Sequence, residues 1–307
     1  MGVMTKDMST LNQPREERRT YKAKGYEYLL NDEEKTAWIL RAPRIGRKKR
    51  FRVPDIIDVE GTAYTVESIE IGAFGKAKCL KHLVIPDSIE FVDEYNFSSL
   101  PSLRSIFIGK GLKHITSWIL QNNKKLRSFV INRENPHLYV EKGIIYTTDG
   151  KSALTTPFNI KHLRIKEGVE AVEHVAFWWN PNLSTITFPS TLKSIGDNSF
   201  AGCPKLKKLV FPEGFETFIS QCFWNCDSLE TVELPSTLMG MDYETFAYCP
   251  NLKTVIIRKE QVLMPKTFRN SPIYLPEGCT LKVPKHLVEE YKTNPLWAEA
   301  TNIEGIE

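Results

Sequence analysis

A single period constrains this chain more than any other feature. Leu80, Leu103 and Leu126 lie 23 residues apart, and Ile160, Leu183, Leu206, Leu229 and Leu252 repeat that spacing. The gap from Leu126 to Ile160 is 34, one period plus an insertion of 11. Other columns keep the same register. Three residues after each Leu come Leu83, Ile106, Phe129, Leu163, Ile186, Leu209, Val232 and Val255. An aromatic column follows in Phe74, Phe97, Phe177, Phe200, Phe223 and Phe246, with Leu120 filling one slot. A unit this short cannot bury its own apolar face. Stacked units bury a continuous column instead, which makes the chain a curved β-solenoid.

Within each unit the pattern L-x-x-L-x-I alternates with period two and predicts a short strand. Pro86, Pro189, Pro212 and Pro235 follow it, and a proline lacks the donor that would extend the ladder. Rungs at about 4.8 Å build a parallel sheet along the concave face.

The flanks divide the chain further. Residues 1–20 are polar and read as a disordered segment. Residues 21–68 read as a β-rich N-terminal cap, with stretches at Tyr26 to Leu30, Ala37 to Leu40 and Phe51 to Pro54. The repeats occupy residues 69–271. Their insertion, at about 133–158, alternates around Thr148-Asp149-Gly150 and predicts a β-hairpin leaving the solenoid. Residues 272–307 read as a short C-terminal cap. It holds a strand at Leu281 to Pro284 and a short helix whose Leu287, Tyr291 and Trp297 cover the last rung.

Composition narrows the function classes. Apolar residues make up 41% and charged residues 25%, as in ordinary globular proteins. The net charge of +4 is small for this length and gives no support for a nucleic-acid surface or a strongly anionic partner. No stretch reaches the roughly 20 apolar residues that span a bilayer. The first 20 residues lack the apolar core of a signal peptide, so the chain as given reads as cytoplasmic.

The units LSTITFPSTLKSIGDNSFAGCPKL and LKKLVFPEGFETFISQCFWNCDSL resemble the BspA-like leucine-rich repeats of bacterial surface proteins. The resemblance covers about residues 50–285. It implies a mainly β, right-handed leucine-rich-repeat solenoid. It also implies a cell-surface or secreted location and a role in binding matrix proteins, host cells or other bacteria. Two readings of location therefore stand side by side.

The chemistry-bearing residues are few. Cys203, Cys226 and Cys249 lie 23 apart, three residues after each column Phe, and read as small buried fillers of one repeat slot. Asn123, Asn180 and Ser271 occupy the same slot, which suits a position bonded to loop backbone. Cys222 and Cys226 are four apart, with no nearby His to complete a zinc set. The run Arg44 to Arg50, with Arg52, reads as a solvated turn between cap strands, with contact to phosphates or an acidic protein face as the alternative. Neither the histidines nor the carboxylates fall into a catalytic motif, and no phosphate loop follows a strand. The expectation is a protein without catalytic residues, metal or cofactor.

Two surfaces remain as candidates. The third and fifth residues of L-x-x-L-x-I point outward onto the concave sheet. They include His82, Val84, Phe107, Val130, His162, Arg164, Thr187, Lys208, Val210, Glu233 and Ile256. This mostly small, weakly charged face suits a flat protein or an extended peptide. The other candidate is aromatic: Trp178 and Trp224 share the position after the column Phe, and Trp179 and Tyr248 the next. Large rings where other repeats carry small residues suggest an exposed patch for a protein or a glycan. The sequence thus predicts a non-enzymatic scaffold for protein–protein interaction, with no nucleic acid expected. The alternatives are a carbohydrate-binding module and a cytoplasmic inhibitor or immunity-type binder.

Overall fold

The computed structural model describes residues 18–74, 77–242, 244–264 and 273–307. The repeats wind into a mainly β solenoid of about ten turns. Two parallel ladders run along it. The broad ladder opens with Arg50–Arg52, His82–Ile85, Ser105–Ile108 and Ser128–Ile131, in the register Arg50, His82, Ser105, Ser128. It resumes with His162–Arg164 beside Thr185–Thr187. A third stretch joins Lys208–Val210, Thr231–Leu234, Thr254–Ile257, Thr280–Pro284 and Asn302–Ile306. The second ladder is narrow, two residues per rung: Ser152 and Ala153, then Ala171–Val172, Ser194–Ile195 and Thr217–Phe218.

The inward columns are buried as the period requires, although Ile186 is only partly so. Leu83, Ile106, Leu163, Leu209, Val232 and Val255 are all within 1% of full burial. The column phenylalanines stack on one another. Phe177, Phe200 and Phe223 have successive ring centroids 5.0 and 5.2 Å apart, and Phe74 and Phe97 are 5.2 Å apart. Each such pair adds about 0.5–1.5 kcal/mol beyond area burial.

Several turns also use a left-handed backbone residue on either side of the column Phe, and others on one side only. Two positions before it lie Tyr95, Val175, Asn198 and Gln221; two positions after it lie Ser99, Trp179, Asn225 and Tyr248, all with φ between 49° and 60°.

The N-terminal strands feed both ladders. Arg19–Ala23, Tyr26–Asn31, Thr36–Arg41, Thr62–Ile69 and Ile56–Val59 form one sheet in that order. Thr62–Ile69 also pairs with Phe91–Val92 in the narrow ladder, while Arg50–Arg52 begins the broad one. The first strand starts at Arg19, inside the segment 1–20 read from sequence as disordered; residues 1–17 lie outside the described residues.

The insertion contains the hairpin predicted around Thr148-Asp149-Gly150, Ile144–Thr147 against Ser152–Thr155, but that hairpin does not leave the solenoid. The insertion is a three-stranded meander, Leu138–Glu141, Ile144–Thr147 and Ser152–Thr155, and its last strand is a rung of the narrow ladder. Alternation along these strands serves two cores. Ile144, Tyr146 and Ala153 are buried in the cluster that continues to the C-terminus. Leu138, Ile145 and Leu154 are buried in the cluster that begins at Tyr28. The meander is therefore a partition between two halves, because both of its faces are apolar.

At the far end, Leu287, Tyr291 and Trp297 are buried around the short helix Val288–Thr293. The Leu263 amide donates to the Tyr291 hydroxyl at 2.9 Å, and the Trp297 indole donates to the Leu263 carbonyl at 2.9 Å. The chain then returns to the sheet, so Asn302–Ile306, and not the helix, forms the last rung.

Candidate interaction surfaces

Strand alternation turns every predicted outward residue toward solvent. Val130 and Val210 are 51% and 50% exposed; Phe107, Val84 and Ile256 are half-buried; Arg164 and Thr187 are exposed. Register places Arg52, Val84, Phe107 and Val130 side by side on four successive strands. Val210, Glu233 and Ile256 are likewise neighbours further along. Cross-strand polar contacts tie the face together. The His82 ring nitrogen lies 2.7 Å from the Ser105 hydroxyl, and that of His162 lies 2.8 Å from Thr185. Glu233 sits between Lys208 at 2.7 Å and Arg258 at 3.5 Å. The Lys208 ammonium, and then the Arg258 guanidinium, hold its carboxyl below the usual range. At the first rung, Arg50, Phe51, Arg52, His82 and Val84 line a shallow open depression.

The aromatic residues form two groups along another side. Trp178 meets Trp179 with centroids 6.0 Å apart and meets Trp118 at 6.3 Å; Trp118 in turn stacks on Tyr95 and is met edge-on by His174 at 5.1 Å. The second group joins Trp224 to Tyr248 at 5.5 Å and Tyr248 to Tyr274 at 5.9 Å. Between the groups Trp179 lies over Gly202, where an added Cβ would come within 2.7 Å of the ring. Trp179 is 46% and Tyr248 59% exposed, whereas Trp178 and Trp224 are half-buried. Sequence reasoning missed Tyr95, Trp118 and Tyr274. Tyr95 and Trp118 carried a usable signal: they lie 23 apart, each two residues before its column position.

The cysteine slot is structural in its geometry. The thiols of Cys203, Cys226 and Cys249 donate to the carbonyls of Phe177, Phe200 and Phe223 at 3.5, 3.4 and 3.2 Å. Asn123 makes the same bond to the Phe97 carbonyl at 2.7 Å. Burial pushes the Cys203 thiol up to about 12, so it stays protonated and unreactive at neutral pH. Ser271, the remaining member of the slot, lies outside the described residues. No group of three His, Cys, Asp or Glu suited to a metal occurs among the described residues. No described helix is long and apolar enough to cross a membrane.

Stacked 23-residue turns, a leucine column and a parallel ladder define a leucine-rich-repeat solenoid. The sequence matches the BspA-type leucine-rich repeat region over residues 51–152 and 147–274, in six copies. The chain therefore belongs to that family. No curated protein matches it. Its fold is similar to that of the pneumococcal vaccine antigen PcpA, with a TM-score of 0.60 at 15% identity, over 94% of this chain and 99% of that one. A leucine-rich repeat protein from Eubacterium ventriosum gives a TM-score of 0.52 at 17% identity, over 87% of each chain.

Proposed function

We propose that the chain is a non-enzymatic scaffold that captures a protein partner on the broad sheet. The observation that carries this reading is the in-register row Val84, Phe107 and Val130, with Val130 half exposed on the last strand of that four-stranded sheet. Such a row is the centre of a protein interface, with the His82–Ser105 contact and neighbouring polar residues as its rim. The likeness to PcpA, described as a vaccine antigen, supports display on a bacterial surface. A photo-crosslinker placed at Val130 in the native cell tests the reading. Crosslinked protein is expected with Phe107 intact and lost with Phe107→Glu, while the thermal melt stays unchanged. Equal crosslinking by both forms would exclude the sheet as the contact surface.

A second reading has its own support. Trp179 and Tyr248 hold exposed rings on left-handed backbone, a conformation that bulky side chains enter at a cost. Rings kept there against that cost suit stacking on sugars. A glycan array on which the protein gives a signal that disappears with Trp179→Asn would favour this reading. A blank array would remove it.

A further inference from the structure

The charge of this molecule is arranged along the broad ladder in a way its small net charge conceals. Lys49, Lys81, Arg104 and Arg127 begin four successive rungs. Backbone bonds fix their order: the Lys81 amide donates to Lys49 at 2.8 Å, Arg104 to Lys81 at 2.8 Å, and Arg127 to Arg104 at 2.9 Å. Rungs stand about 4.8 Å apart, so like charges are stacked at a spacing where they repel. Among the described residues, none of the four joins an ion pair. The basic run from Arg44 to Arg50 leads directly into this column and adds to it.

The second half of the same ladder provides an internal comparison. Its corresponding positions are Lys207, Glu230 and Lys253, linked by the same backbone bonds. Their signs alternate, and Lys253 reaches Glu230 at 3.4 Å. The outward row beside them is also self-neutralised, with Glu233 between Lys208 and Arg258. The fold therefore does not require an uncompensated column. Only the first half keeps one.

Three residues further along the same strands, about 10 Å away, runs the apolar row Val84, Phe107 and Val130. The second, third and fourth of these rungs thus each offer a cation and then an apolar side chain, while the first carries Arg52 in place of the apolar residue. A sulfated polysaccharide would neutralise the column but has no side chains for the apolar row. Single-stranded nucleic acid needs a series of aromatic platforms, and this row supplies only Phe107. A polypeptide can satisfy both rows at once.

We propose that the first four rungs of the broad sheet receive an acidic protein segment, its carboxylates over Lys49, Lys81, Arg104 and Arg127 and its apolar side chains on Val84, Phe107 and Val130. This rests on the reading of the broad sheet as a protein-binding face and names the chemistry of its partner.

The test is selection of a phage-displayed random peptide library on the intact protein at low salt. Arms with fluorescent heparin and a fluorescent oligo-dT strand run in parallel. Retained peptides are expected to be enriched in Asp and Glu together with large apolar residues. Binding is expected to weaken about 100-fold when Arg104→Glu and Arg127→Glu are combined, about tenfold per reversed charge. It should fall similarly with Phe107→Asp and stay within about threefold of wild type with Lys207→Glu. Circular dichroism melts confirm that the variants, all altered at outward positions, remain folded. Peptides lost with Phe107→Asp but showing no acidic enrichment would overturn the inference and leave the protein-binding reading standing. Peptides indifferent to every variant, or no retained peptides, would overturn both. Heparin or oligo-dT bound more tightly than any peptide, and released by the arginine reversals, would overturn the protein partner in favour of that polyanion.

Discussion

Tyr248 occupies the turn position that neighbouring repeats give to Gly202 and Asn225, the residue types that enter left-handed backbone most cheaply. Its ring is well exposed, though it touches Trp224 and Tyr274. Replacing it with Asn removes the backbone penalty and a surface contact together. Tyr248→Asn is therefore expected to leave stability unchanged or raise it by up to about 1 kcal/mol, read from a denaturant melt. A loss well above that would make the ring a packing element and weaken the stacking reading. The rings were legible in the sequence because a column that is elsewhere small makes a large residue conspicuous. The backbone conformation was not read, although Ser99, Asn122, Gly202 and Asn225 at one repeat position already pointed to it. The cysteine slot was legible for the same periodic reason, with Asn123 standing where a thiol could stand.

At the scale of elements the insertion shows where periodic reading stops. Its alternation was visible, but alternation predicts one buried and one exposed face only when the exposed residues are polar. Here Ile144 and Ile145 are adjacent and both buried, one in each core, as are Ala153 and Leu154. Such two-sided burial marks an internal sheet, so the hairpin turn at Thr148-Asp149-Gly150 joins two strands within the solenoid. Ser117, in the turn before the insertion, hydrogen-bonds Thr155 of the meander and the Ala176 carbonyl of the turn after it, and the last meander strand pairs with Ala171–Val172, so the meander is bonded to the turns on either side. Excision of residues 133–158 should therefore not yield a shorter solenoid. The expected product lacks a cooperative thermal transition, because Tyr146 and Leu154 leave facing apolar surfaces uncovered. A well-folded deletion variant would show the meander to be an appendage. The strand Asn302–Ile306 was missed for another reason: it lies beyond the last proline-terminated unit and carries no leucine pattern.

The whole molecule is a linear stack whose energetics follow from neighbour contacts alone. Net charge is a sum and carries no position, which is why +4 indicated no anionic partner while four cations stood unneutralised on adjoining rungs. Burial has a corresponding discontinuity. The apolar interior is two clusters, one holding Phe97 and the other Phe200, with the meander between them. The Phe stack is also interrupted there, since Leu120 replaces a ring before Phe177. Halves whose buried cores are separate need not unfold together, even where Ser117 and Trp118 touch Ala176, His174 and Trp178 across the divide. Guanidinium unfolding followed by tryptophan fluorescence and far-ultraviolet circular dichroism is expected to resolve two transitions. Phe200→Ala should lower one of them by about 3–5 kcal/mol, the usual cost of removing a buried ring, and leave the other in place. Phe97→Ala should do the reverse. If both variants shift one common transition by similar amounts, the meander couples the halves as a structural bridge, and the solenoid unfolds as one unit.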